Sequence, residues 1–154
     1  MKRTLLTYIN ASLFGLVALM GVFVMIGWFV ESTELIQILP GLAPMQFNNA
    51  LCFVLLGISG LSILASLKKI AIPLSVFGLI LSGLTLLQYP IGIDFGIDLF
   101  FFNTNEIVST AHPGRMAPNS AIGHILSFIS ILLILSNRLL MLRISGVLGA
   151  SVVA

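Results

Sequence analysis

The chain has 154 residues, of which 58% are apolar and only 8% charged, with a net charge of +2 at neutral pH. Soluble domains carry about 25% charged residues, so a mean hydropathy of +1.17 argues against a water-solvated globule and for a bilayer as the main solvent. The lone cysteine, Cys52, excludes an internal disulfide, a Cys-x-x-Cys redox pair and a thiolate zinc site, and so small a net charge gives no reason to expect nucleic acid.

A bilayer core of about 30 Å needs roughly 20 apolar residues per spanning helix. The first candidate, 4–30, is interrupted only by Thr7, Asn10 and Ser12. It is too long for a signal-peptide core and reads as a retained helix. The second is 47–67. The third, 70–89, carries Pro73 in its first turn, where a missing N–H costs little. The fourth, 118–136, opens on Pro118, a favoured first helical position. The last apolar run, 144–154, reaches about half way across at about 1.5 Å per residue. It reads as the start of an incomplete fifth helix or as an interfacial tail. The expected fold is all-α and integral to a membrane: a four-helix transmembrane bundle over residues 1–143, with external loops at 31–46 and 90–117.

Charge sets the expected orientation. Lys2 and Arg3 precede the first segment, Lys68 and Lys69 fill the turn between the second and third, and Arg138 and Arg143 follow the fourth. The acids Glu31, Glu34, Asp94, Asp98 and Glu106 fall on the other side, joined there by Arg115. The positive-inside rule then places the N-terminus and the Lys68-Lys69 turn in the cytoplasm and both long loops outside.

Met45-Gln46-Phe47-Asn48-Asn49-Ala50 and Met116-Ala117-Pro118-Asn119-Ser120-Ala121 share a Met-x-x-Asn-x-Ala frame, with Pro40-Gly41 and Pro113-Gly114 just upstream. Each frame opens a segment that runs from outside to inside. The bundle therefore reads as two repeated helix pairs. Asn48 and Asn119 stand where helices begin, and Asn is a good cap. Pro118 moves the second cap to Ala117, which frees the Asn119 amide to bond across helices. Two compatible readings follow. The frames are helix-start motifs, or their amides face a shared external cavity with His112 and Arg115.

Three stretches carry a resemblance: residues 40–53, then Gly92-Ile93-Asp94-Phe95-Gly96-Ile97-Asp98, then His112-Pro113-Gly114-Arg115-Met116-Ala117-Pro118-Asn119-Ser120-Ala121. Over about residues 10–140 the chain resembles the N-terminal multi-helix membrane region of many bacterial sensor histidine kinases and diguanylate cyclases. Phe47 and Asn49 depart from the Pro-Asn-Thr-Ala pattern usual in the first stretch. In that family the region precedes PAS, kinase or Gly-Gly-Asp-Glu-Phe domains. These residues hold no His-box, no Gly-rich ATP-binding stretch and no Gly-Gly-Asp-Glu-Phe. The resemblance thus implies an isolated or truncated input domain in the bacterial inner membrane. Any two-component kinase or cyclase activity would belong to a missing C-terminal part or a partner.

The polar residues divide into loop and membrane groups. Arg115, the one base among external acids, is expected to pair with Asp94, Asp98 or Glu106 and pin the long loop. Alternatively, Arg115 and His112 meet an anionic or polar ligand, helped by the positive end of the fourth helix. His112 could also report external pH. Asp94 and Asp98 share a face if 92–100 is a short interfacial helix. A metal site from Asp94, Asp98 and His112 lacks a closed ligand spacing. At membrane depth, His124 is expected to be neutral and bonded to a neighbouring helix, since haem would want a second axial histidine. Asn10 is expected to bridge helices, and Ala11-x-x-x-Gly15 to permit close contact. Met45 and Met116 read as packing residues.

The favoured function is a membrane-embedded sensory input module that relays a cue through helix packing to cytoplasmic signalling domains. A homodimer through the membrane helices is expected, with no cofactor, metal or catalytic residue. The alternative is a small transporter or channel-like bundle. It is disfavoured because all five acids lie in loops.

Overall fold

The computed structural model describes residues 4–37, 43–102, 112–136 and 147. Lys2, Arg3, Pro40, Gly41, Glu106, Arg138, Arg143 and the expected fifth segment (apart from Val147) lie outside the described residues.

Among the described residues the chain is all-helical: α1 (Leu5–Phe29), α2 (Thr33–Ile36), α3 (Phe47–Leu64), α4 (Lys68–Ile91) and α5 (Pro118–Leu135). All but α2 are long and apolar enough to cross a membrane. Helix starts fall where the frames place them, with Gln46 and Ala117 as the residues before the first turn of α3 and α5. α4 takes in Lys68 at one end and Pro90 at the other, and closes on Gly92 in the left-handed conformation (φ 70°), a common helix stop. The single turn α2 lies within the expected 31–46 loop. It buries Ile36 and presses Leu35 onto Gly27, where no β-carbon would fit.

α3 is the centre of the bundle. It packs against α1, α4 and α5, while among the described helices α1 touches only α3 and α2. Successive long helices alternate in direction. Trp28 at the end of α1 reaches Met45 before α3, and Tyr89 near the end of α4 reaches Met116 before α5. Lys68 reaches the Leu135 carbonyl at the opposite end.

The close contacts are built on glycine, but not on Gly15 of the Ala11-x-x-x-Gly15 step, whose surroundings are open. Instead Gly21 faces Ala50 and Val54, while Gly57 and Gly60 lie on Phe14 and Ala18. Gly78 of α4 receives the Phe128 ring of α5. Asn10 is exposed and bridges no other helix among the described residues, a correction to the expected interhelical bond. It lies beside the Thr7, Ala11, Phe14 and Ala18 row that meets α3.

Polarity runs opposite to that of a soluble bundle. Ser59, Ser62, Ser75, Ser82 and Thr85 are buried between helices, while Leu13, Leu16, Phe23, Ile80 and Phe100 are exposed. The Ser82 and Thr85 hydroxyls donate to Gly78 and Leu81 carbonyls one turn back (2.7 and 2.9 Å). Such self-contained bonds satisfy these two hydroxyls without water, whereas the Ser59 and Ser75 hydroxyls have no partner among the described residues.

A β-carbon at Gly57 would strike the Phe14 carbonyl, whereas one at Gly83 meets nothing. Gly57→Leu should therefore cost about 1–3 kcal/mol by overpacking, read as a lower unfolding midpoint in detergent. Gly83→Ala should be neutral or raise stability by about 0.5–1 kcal/mol.

Candidate functional site

The polar residues gather where α1 and α4 end and α3 and α5 begin. Gln88 lies in the last turns of α4 and is fully buried. Its Nε2 donates to both Asp98 carboxylate oxygens (3.1 Å each). Its Oε1 accepts from the Phe95 backbone N–H (2.8 Å) and from Arg115 Nη2 (3.3 Å). Arg115 Nε completes the set with a 2.6 Å ion pair to Asp98 Oδ2. The Arg115 and Asp98 side chains are 8% and 5% exposed. Both charges therefore need each other, because an unpaired charge removed from water is costly.

This lock shapes the loop. Residues 92–102 are not an interfacial helix, a correction with a clear local cause. Gly92 and Gly96 both adopt left-handed φ of 70°, and the Asp94 carboxylate accepts the Gly96 N–H (2.8 Å) in a tight turn. Asp94 and Asp98 still converge, but through Arg115 rather than a helix face. Asp94 is the outer member, 71% exposed and 3.7 Å from Arg115 Nη2. Gly114 (φ 76°) lies so close to the Asp98 carbonyl that a β-carbon would overlap it. Asn48 holds the same stretch from α3. Its Nδ2 donates to the Ile97 and Asp98 carbonyls (2.9 and 3.3 Å).

His112 is exposed beside this lock, edge-on to the Tyr89 ring. With Asp94, Arg115 and Tyr89 it lines a cleft of about 230 Å³. The Arg115 guanidinium also lies over the Tyr89 ring, 5.6 Å from its centre. Its charge is already met by Asp98 and approached by Asp94, so an anion gains little here. Among the described residues, no three His, Cys, Asp or Glu side chains converge as a metal site.

A second cavity, of about 220 Å³, opens between the starts of α3 and α5. Its walls use equivalent positions of the two frames: Met45 and Met116, Gln46 and Ala117, Asn49 and Ser120. Of the four residues expected to share one concavity (Asn48, Asn119, His112 and Arg115), only His112 and Arg115 line the cleft; Asn48 is fully buried under the loop and lines neither space. Asn119 lines neither as well. It is exposed, and its Oδ1 accepts the neighbouring Ser120 N–H. About 100° of helix rotation per residue carries the residue after each frame Asn to the cavity instead. Below it, His124 Nε2 is hydrogen-bonded to the Asn49 side-chain amide at 2.8 Å, joining α5 to α3. The ring packs edge-on to Phe53 and beside Phe128.

Gln88, Tyr89, Gln46 and Asn49 were not singled out by sequence. Gln88 carried the clearest signal, as an amide inside an otherwise apolar span. Compared with known protein families, curated proteins and solved structures, the chain matches none.

Breaking one side of the lock strands the other charge. Arg115→Met should destabilise the protein by about 3–5 kcal/mol. The double variant Arg115→Met with Asp98→Leu should recover much of that loss, in a double-mutant cycle of unfolding midpoints.

Proposed function

We propose that the chain is a membrane-embedded sensory input module. It would lie in the bacterial inner membrane with its N-terminus in the cytoplasm, assembled as a homodimer. One observation carries this reading. The loop after α4 is bound at once to α4 through Gln88, to the start of α5 through Arg115 and to α3 through Asn48. A cue that alters this loop acts on three helices together. Signalling needs a cue that stabilises two packings unequally, and a loop wired to several helices is placed to make that difference.

The inverted polarity of the bundle supports the membrane part of the reading, as small polar residues between helices and large apolar ones outside suit lipid. The equal placement of both frames at helix starts supports two repeated helix pairs. The resemblance to sensor kinase and cyclase input regions supports the signalling part. In this reading the chain has no catalytic role, and output belongs to cytoplasmic signalling domains that it contacts or continues into.

Orientation is tested by cysteine labelling, with buried Cys52 as a silent background. Asp94→Cys should react with an impermeant reagent from outside intact cells, and Lys68→Cys only after permeabilisation. The reverse pattern overturns the topology. For signalling, the chain is fused to a kinase or cyclase reporter. Arg115→Ala should shift output at matched membrane abundance. Output equal to wild type across pH, ionic strength and candidate ligands would reduce Arg115 to a loop anchor.

A further inference from the structure

We infer that the cavity between the α3 and α5 starts is a binding site for a small apolar monocarboxylate. The inference deepens the input-module reading, on which its access from outside rests. At about 220 Å³ the cavity exceeds the roughly 150 Å³ void known to accept benzene, so an aromatic acid of benzoate size fits.

Two features point to a ligand with acceptor oxygens. The first is a pair of helix N-termini. Gln46 and Ala117 precede the first turns of two 18-residue helices, and neither of these two side chains caps its helix. The start of α3 keeps its first-turn N–H groups, whereas at α5 Pro118 has none and Asn119 Oδ1 takes that of Ser120, so α5 contributes mainly its dipole. The second is a buried amide with half of its bonding capacity unused. Gln46 is only 7% exposed and lines the cavity. The Gly114 backbone N–H, which can only donate, binds its Oε1 at 3.0 Å. That contact fixes the amide orientation and leaves the Nε2 donors without a partner among the described residues.

Asn49 adds a second amide to the cavity wall, bonded to His124 Nε2 at 2.8 Å. Gln46 has thus committed its acceptor half to the protein and kept its donors. No acid lines the cavity, and Pro44, Met45 and Met116 give it apolar walls. A carboxylate on a small apolar body supplies what these groups lack. Because Asn49 also holds His124, a ligand there acts on the α3–α5 contact directly.

Radiolabelled benzoate is the probe, with the full chain in lipid nanodiscs. Trp28 gives a second readout. It is the single tryptophan, and its Nε1 donates to the carbonyl of the wall residue Met45 (2.9 Å). Binding should be saturable in the millimolar range or below and should perturb Trp28 emission. Benzyl alcohol, of the same shape without the charge, should not displace benzoate at equal concentration. Gln46→Glu still accepts from Gly114 but replaces the donor with a negative charge, and should weaken binding about tenfold or more. Ala117→Phe, at the exposed rim, should fill the cavity and abolish binding while the unfolding midpoint is kept. The inference is overturned by an absence of saturable binding, by wild-type affinity in either folded variant, or by equal displacement with benzyl alcohol. Benzoate binding with no change in the fused reporter would instead refute the signalling reading and leave the site standing.

Discussion

The Asp98–Arg115 ion pair is the constraint on which the loop end of the bundle depends. Two opposite charges lie almost out of reach of water, 2.6 Å apart. Burying them is tolerable only if the remaining lone pairs and N–H groups are also met. Gln88 does this from inside α4, and so ties a helix to a loop by chemistry that has no slack. Much else follows from it. Position 114 has to be glycine, because the Arg115 segment runs against the Asp98 carbonyl. The loop has to turn at Gly92 and Gly96 to bring Asp98 back over the bundle. Asn48 then meets loop carbonyls that would otherwise be buried unsatisfied.

How far the sequence could be read follows from the same physics. Spanning helices are legible because roughly 20 apolar residues in a row have few other uses, and the observed limits differ from the expected ones by a turn at most. The Arg115 pairing was legible from charge alone, since one base stood among several acids. The 92–100 segment was not. Its Asp94-x-x-x-Asp98 spacing imitates a helix face, yet each of its two glycines takes a left-handed conformation that a helix does not allow. Asn10 was over-read for a related reason. A polar residue in a span is worth a bond only if a neighbour reaches it, and among the described helices α1 has one long neighbour, α3.

The frames show a subtler limit. Identical spacing predicted identical helix starts, which the structure has, with Ala50 and Ala121 both fully buried. It did not predict identical surroundings. Asn48 begins the central helix and lies beneath the 92–99 loop. Asn119 begins a peripheral helix and faces outward. A repeat in sequence carries backbone geometry well, but what a side chain meets depends on the other elements. The amides that line the cavity are therefore Gln46 and Asn49, which the shared frame leaves unspecified.

The two polar centres are joined through α3 and α5. Asn48 and Asn49 are adjacent on α3, so a shift of the loop carbonyls held by Asn48 acts on the helix turn that also holds His124 through Asn49. Arg115 and Met116 are likewise adjacent, one in the lock and the other in the cavity wall, with Tyr89 bonded to the Met116 carbonyl (2.9 Å). The two centres therefore share backbone. Such coupling needs no long pathway, because neighbouring residues in one helix turn move as a body. What it does need is a second packing of nearly equal energy. The α3–α5 contact offers a place for one. It is less extensive than the contacts of α3 with α1 or α4, and it is bridged in its upper part by the Asn49–His124 bond. The glycine-lined α1–α3 contact, by contrast, has backbone against backbone at Gly21 and Gly57 and leaves little freedom to slide. Motion that begins at the loop would thus be taken up between α3 and α5, and α1 would follow α3 as one unit.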